Sequence, residues 1–273
     1  DFIGNYEKAG KAPLLLSGEQ SFNKKGSCEY QDLEYPDDCI VDFDMRLIDL
    51  FKEIDKKKLT LKMQIRQEYY RVKELLDGKR PSRMDLFTYM DDDIYRICVS
   101  GSHAKENPFQ HYLDFLYELG ELSEDEQKLY AGIGREFIQT IETTEMQKVY
   151  KMPILYSFYN HGNIRLAVTD EEVLESWKEF FDTGTNWKDF PNVNTYEDYK
   201  KVTDKQHLSK AKRMPIRFLK VSGKGFFVEK DGYALALRDE IEDVVGNMAF
   251  GEQMGDVLGY RSLEYYRRRY EKE

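Results

Sequence analysis

Leu61, Ile65, Tyr69, Val72 and Leu76 recur at steps of four and three, which lines them up on one face of an α-helix. The residues after Leu76 punctuate that helix sharply. Gly78 is placed to close it as a C-terminal cap. Ser82, preceded by Pro81, is placed to open the next helix, with Asp85 at the capping-box position in place of the usual Glu. Asp91, Asp92 and Asp93 suit the positive end of a third helix dipole. Phe109, Tyr112, Leu113 and Leu116 line a fourth helix that ends at Gly120. Such short apolar faces cannot be satisfied in isolation, so the stretch 56–120 predicts a small bundle of packed helices.

The remainder continues in the same manner until it changes character near its end. A capping box at Ser123 and Glu126 predicts a long helix to about residue 143, with Leu129, Ile133, Phe137 and Ile141 spaced by four. Pro153 falls in the first turn of the next helix, and Thr169 with Glu172 starts another. A loop is expected over 183–194 and a polar helix over 196–211. Residues 216–221, 226–228 and 233–237 read as strands, joined by Ser222-Gly223-Lys224-Gly225 and Lys230-Asp231-Gly232. A last helix is expected from about Arg261 to Tyr270. Upstream, 39–43 alternates like a short strand and Asp44 can cap a helix to about Lys57.

The expected fold is therefore mainly α with a small antiparallel β-meander, an α+β arrangement of helix-turn-helix and winged-helix type. Three parts are expected: 1–43 as a tail and linker, 44–122 as a first helical module, and 123–273 as a second with a β-wing at 216–237.

Charge is unevenly spread. The chain carries a net −10 over 273 residues, yet 56–83 holds ten basic residues against three acids, a local +7 inside a chain that is otherwise −17. An overall acidic balance argues against a uniformly basic nucleic-acid coat but leaves a local one open. Lys62, Arg66 and Lys73 lie beside the buried face of the first helix with Tyr70 close by, and Lys79, Arg80 and Arg83 continue the charge through the turn that Ser82 caps. This geometry could follow a phosphate backbone, positioning it without reading sequence. Lys210, Lys212, Arg213, Arg217 and Lys220 form a second basic candidate. By contrast, 85–126 carries eleven acids against Arg96 and Lys105, a surface suited to a basic protein partner.

Catalytic constellations are absent from the sequence. There is no GxxxxGK[ST] phosphate loop and no Ser-His-Asp or Cys-His set. Cys98, His103 and His111 match no zinc spacing, so no metal site is expected. A nuclease reading of Asp37 with Asp55 and Lys56 fails because Asp55 ends a predicted helix. Cys28, Cys39 and Cys98 form no CxxC pair and no even set, which points to a reducing cytoplasm. No apolar run approaches the ~18 residues of a membrane span.

Two stretches resemble a known family. The opening Asp1-Phe2-Ile3-Gly4-Asn5-Tyr6 resembles the segment that closes the last strand of the second motor domain in superfamily 2 DEAD/DEAH-box helicases of bacterial restriction and repair type. Tyr69, Leu76, Gly78, Arg80, Pro81, Ser82, Phe109, Tyr112, Phe115, Leu116 and Gly120 resemble a small helical repeat found after such motors and beside homing-type nucleases. This chain departs from that repeat where Glu106-Asn107-Pro108 displaces the usual Gly-Ser. The resemblance implies a non-catalytic C-terminal region that begins where the motor ends and binds or guides nucleic acid beside it. It implies DNA as the partner, with RNA as an alternative, and ATP and Mg in the parent motor but no cofactor in this region. The competing expectation is a protein-interaction module using the acidic stretch 85–126.

Overall fold

The helix expected from the Leu61 spacing is α1, Leu61–Leu75, and it buries Ile65, Glu68, Tyr69 and Val72. The structure, a computed structural model, describes residues 60–270. The Asp1-to-Tyr6 motif, the strand at 39–43, the helix at 44–57 and the lysines at 56–58 lie outside the described residues.

Local signals place the next elements where the sequence puts them. Asp77 and Gly78 both take positive φ, 55° and 79°, and the Gly78 amide returns to the Lys73 carbonyl at 2.9 Å, satisfying an otherwise orphaned helix-end acceptor. Ser82 then caps α2, Arg83–Tyr89, through a complete capping box with Asp85. The Asp91 carboxylate accepts the Asp93 and Ile94 amides to start α3, Asp92–Val99. Tyr112–Leu119, α4, ends at Gly120 with φ 71°.

The long helix expected over 123–143 is two helices, α5 (Glu124–Ala131) and α6 (Ile133–Thr143), broken at an extended Gly132. The reason lies in packing. Leu129 folds across Gly134, where a Cβ would come within 2.0 Å of its Cδ1. The break lets both helices bury a face.

The second half runs α7 (Lys151–Tyr159), β1 (Ala167–Val168), α8 (Asp170–Asp182), α9 (Tyr196–Lys200) and α10 (Asp204–Ala211). A π-helical turn, Lys212–Ile216, leads straight into α11 (Arg217–Ser222), followed by β2 (Phe227–Val228) and β3 (Leu235–Leu237). The strands pair antiparallel in the order β1-β3-β2, with Ala167 opposite Ala236 and Phe227 opposite Leu237. A short strand ahead of α8 is thus paired beside the last strand of the hairpin.

The meander expected over 216–237 is corrected in one particular. Residues 216–221 are helical, and the third strand comes instead from Ala167–Val168. Ile216 and Leu219 are buried while Arg217, Phe218 and Val221 are exposed, a three-residue step that suits a helix. Pro215 has no amide to give an α-helical ladder, and the π turn takes it in without ending the helix.

The chain closes with α12 (Glu242–Val245) and α13 (Met248–Tyr270). α13 begins well before the expected Arg261. Gly251, Gly255 and Gly259 recur every four residues along it, facing the Gly162 carbonyl, the Tyr159 ring and Met84 respectively. That bare stripe brings α13 against α7 and α2 together. Trp177, Phe137, Phe158, Phe181 and Phe250 belong to the core and are wholly buried. The described residues from Ile65 onward make one compact unit, with both expected helical modules sharing α13.

Candidate nucleic-acid interface

The first basic stretch turns out to be half structural. Arg83 is 0% exposed. Its Nε donates to Glu142 Oε1 at 3.0 Å, and Nη1 donates to Gln253 Oε1 at 2.7 Å and to Asp256 Oδ2 at 2.8 Å. Its guanidinium also lies 4.4 Å from the centre of the Tyr112 ring. Arginine suits this role because its planar fork can serve several acceptors at once. As a phosphate contact Arg83 is corrected: it cannot reach solvent.

Arg80 and Lys73 are likewise engaged. Arg80 grips both oxygens of the buried Glu126 and donates to the Glu121 carbonyl at 3.0 Å. Glu126 in turn accepts from Gln253 at 2.7 Å, which links this pair to Arg83. Burial alone would raise the Glu126 carboxyl, but Arg80, the Ser123 amide and Gln253 outweigh it and hold it below its ordinary value. Lys73 Nζ sits 2.7 and 2.8 Å from the Glu121 carboxylate. Ser82 spends its hydroxyl on the Asp85 cap. Lys62, Arg66 and Lys79 are exposed, and Tyr70 is 36% exposed with Arg66 near its ring.

The same pairs dismantle the acidic stretch. Glu121 faces Lys73, Glu126 faces Arg80, Asp114 faces Arg135 and Asp92 faces Arg267. Two of these pairs, Lys73 with Glu121 and Arg80 with Glu126, have one half in each of the two charge runs that the sequence displays as separate patches. A sequence shows charge density along the chain, and only the fold brings those halves together.

The second basic candidate lies on one continuous rod, α10 through the π turn to α11. Lys212 pairs with Asp170 at 2.5 Å and Lys220 with Glu229, so two of the five cations are matched. Arg213 and Arg217 are exposed, and among the described residues no carboxylate pairs with either. Lys210 lies 4.9 Å from the Tyr150 ring, and burial together with Arg213 and Lys148 pushes its ammonium below the ordinary lysine range. Lys205, which the sequence reading passed over, is exposed on the same rod. Its signal was its spacing, eight residues before Arg213 and hence on roughly the same helical face.

Along that rod an open trough of about 570 Å³ runs between α10 and the segment after residue 189. Its lining includes the apolar Pro191, Val193 and Val202 and the basic Lys205, Lys210 and Arg213. His207 is buried behind it, between the Phe190 and Tyr199 rings at 4.9 and 5.5 Å. Elsewhere Cys98 is a buried free thiol, and His111 Nδ1 is 2.7 Å from the Gln139 amide. Among the described residues no helix is long and apolar enough to cross a membrane.

No family model, curated protein or solved structure matches this chain.

Proposed function

We propose that this chain is a non-catalytic nucleic-acid-binding region of an ATP-dependent helicase of the restriction and repair type, holding or guiding DNA beside the motor. The observation that carries the binding reading is the basic rod Asp204–Ser222, which leads into a small antiparallel sheet, with Arg213 and Arg217 exposed and unmatched by any described carboxylate. A helix presented this way offers fixed positive charge to a phosphate backbone at little ordering cost. The helicase assignment rests on the sequence resemblance of the first six residues and of the repeat around Arg80 to Ser82. Arg66, Tyr70 and Lys79 extend the contact surface, whereas Lys73, Arg80 and Arg83 serve the fold. The acidic stretch offers less to a basic protein partner, because Asp92, Asp114, Glu121 and Glu126 already have cations of their own.

Fluorescence anisotropy with single-stranded, duplex and forked DNA across a salt series tests the reading. Each phosphate contact contributes a slope of about −0.9 in log K against log salt on duplex and about −0.7 on single strands. Arg213→Glu with Arg217→Glu should flatten the slope by roughly two contacts and weaken binding at every salt concentration. Absence of binding to all three DNAs at low salt would overturn the proposal.

A further inference from the structure

The trough beside α10 is lined by two chemically different groups of side chains, one basic and one apolar. In the basic group, Lys205 and Arg213 are exposed and Lys210 is half-buried, with no carboxylate paired to any of the three among the described residues. Other cations nearby are matched: Lys178 to Asp204, Lys200 to Asp182 and Lys212 to Asp170. The carboxylate that lines the trough, Asp198, is already taken by the Thr195 hydroxyl at 2.8 Å and by Lys201 at 3.4 Å. Lys148 adds a further positive charge, and its Asp189 partner at 3.6 Å is shared with Arg269. Like charges gathered without counter-charge cost stability, and an incoming anion removes that cost.

The trough is also lined by the apolar side chains of Pro191, Val193 and Val202, with the polar Asn192 and Gln206 beside them, and the exposed Ser209 lies among the cations on the rod. A ligand that satisfies both groups needs an anionic group and an apolar face a short distance apart. A nucleotide unit has that composition, and about 570 Å³ lies within the range of sites that take one small organic ligand. A base paired in a duplex keeps both faces stacked, so it cannot enter unless it is extruded. An unpaired strand offers its bases freely.

We infer that the trough seats a nucleotide of single-stranded nucleic acid, its phosphodiester held by Lys205, Lys210 and Arg213 and its base laid against Pro191, Val193 and Val202. The inference rests on the nucleic-acid-binding reading above and adds strandedness and a seat to it.

The test uses the whole chain with a fluorescent oligothymidylate and a duplex of equal length. Ser209→Trp fills the trough from an exposed position and removes no charge. It should weaken single-strand binding about tenfold, the size of one lost base contact, and change duplex binding by less than about twofold. Lys205→Glu should weaken single-strand binding comparably, and being exposed it leaves the core untouched. In parallel, acylation of lysine amines read by mass spectrometry should find Lys205 and Lys210 protected by the oligothymidylate and not by the duplex. If the unaltered chain binds neither nucleic acid, the functional reading falls and the trough falls with it. If it binds the single strand while Ser209→Trp binds equally well and both lysines stay reactive, only the trough is overturned. Equal protection by duplex would overturn the preference for single strands.

Discussion

Replacing Arg83 by Ala separates the two roles that a basic residue in this position could have. The side chain is fully buried and holds Glu142, 2% exposed, and Asp256, 15% exposed, within one hydrogen-bonded group. Asp256 keeps the Arg83 and Met84 backbone amides at 3.0 and 3.3 Å when the guanidinium is removed. Glu142 keeps only the Tyr112 amide at 3.2 Å, and its charge is left buried without its ion-pair partner. Breaking a buried pair from one side costs about 3–5 kcal/mol, a large part of the ~5–15 kcal/mol that stabilises a typical protein. At about 2–4 °C per kcal/mol for a unit of this size, melting should fall by roughly 6–20 °C. Arg83→Met with Glu142→Gln keeps the Tyr112 contact and removes the orphaned charge, so it should regain most of the loss. Urea unfolding followed by circular dichroism reads both variants. An Arg83→Ala protein that melts within about 1 kcal/mol of the original but loses affinity for DNA would place Arg83 among the phosphate ligands and refute the structural argument.

Other outcomes rest on the same contacts. Glu126 is held below its ordinary carboxyl value, so the stability it contributes is present above the unfolded value near 4.5 and is lost as pH falls below it; Glu126→Gln should flatten acid melts in that window. His207 is held low by burial and by Lys178, against Asp204 and Asp182. Its stabilising neutrality is present above the unfolded value near 6.5 and lost as pH falls, and His207→Phe should abolish that part of the pH dependence in melts run between pH 5 and 7 (about the range where histidine titrates). At Gly223 a Cβ would meet the Leu219 carbonyl at 2.5 Å and Phe227 at 2.4 Å, so Gly223→Ala should cost about 1–3 kcal/mol through overpacking. Gly246 has open space and φ −75°, so Gly246→Ala should gain about 0.4–1 kcal/mol in the same denaturation assay.

Local rules carried the sequence reading a long way. Ser82 with Asp85, Ser123 with Glu126 and Thr169 with Glu172 all form the capping boxes their spacing predicts, because a cap is decided within four residues. The box at Thr203 and Gln206 is built the same way, but it was hidden inside a stretch that reads as one polar helix. A two-residue strand such as Ala167–Val168 has no alternation to detect, and only its pairing with β3 defines it. The residues at 216–221 satisfy both periods at once, and the buried contacts of Ile216 and Leu219 decide between them. The start of α13 was obscured because Gly251, Gly255 and Gly259 are poor helix formers, although their spacing is what the packing requires. The candidate interface was legible as charge but not as availability. The partners of Arg83 lie 59 and 173 residues away, beyond any local rule.

That last separation bears on how the protein comes into being on the ribosome. Arg83 emerges well before the carboxylate of Asp256, 173 residues further on, and before the bare glycine stripe of α13. Until then the nascent chain holds an arginine that has no completed cage and two helices, α2 and α7, with nothing to join them. Long-range closure of this kind slows folding and leaves apolar surface exposed meanwhile. The helices from α1 to α7 can form as they appear, but the assembly they belong to is closed only by α13.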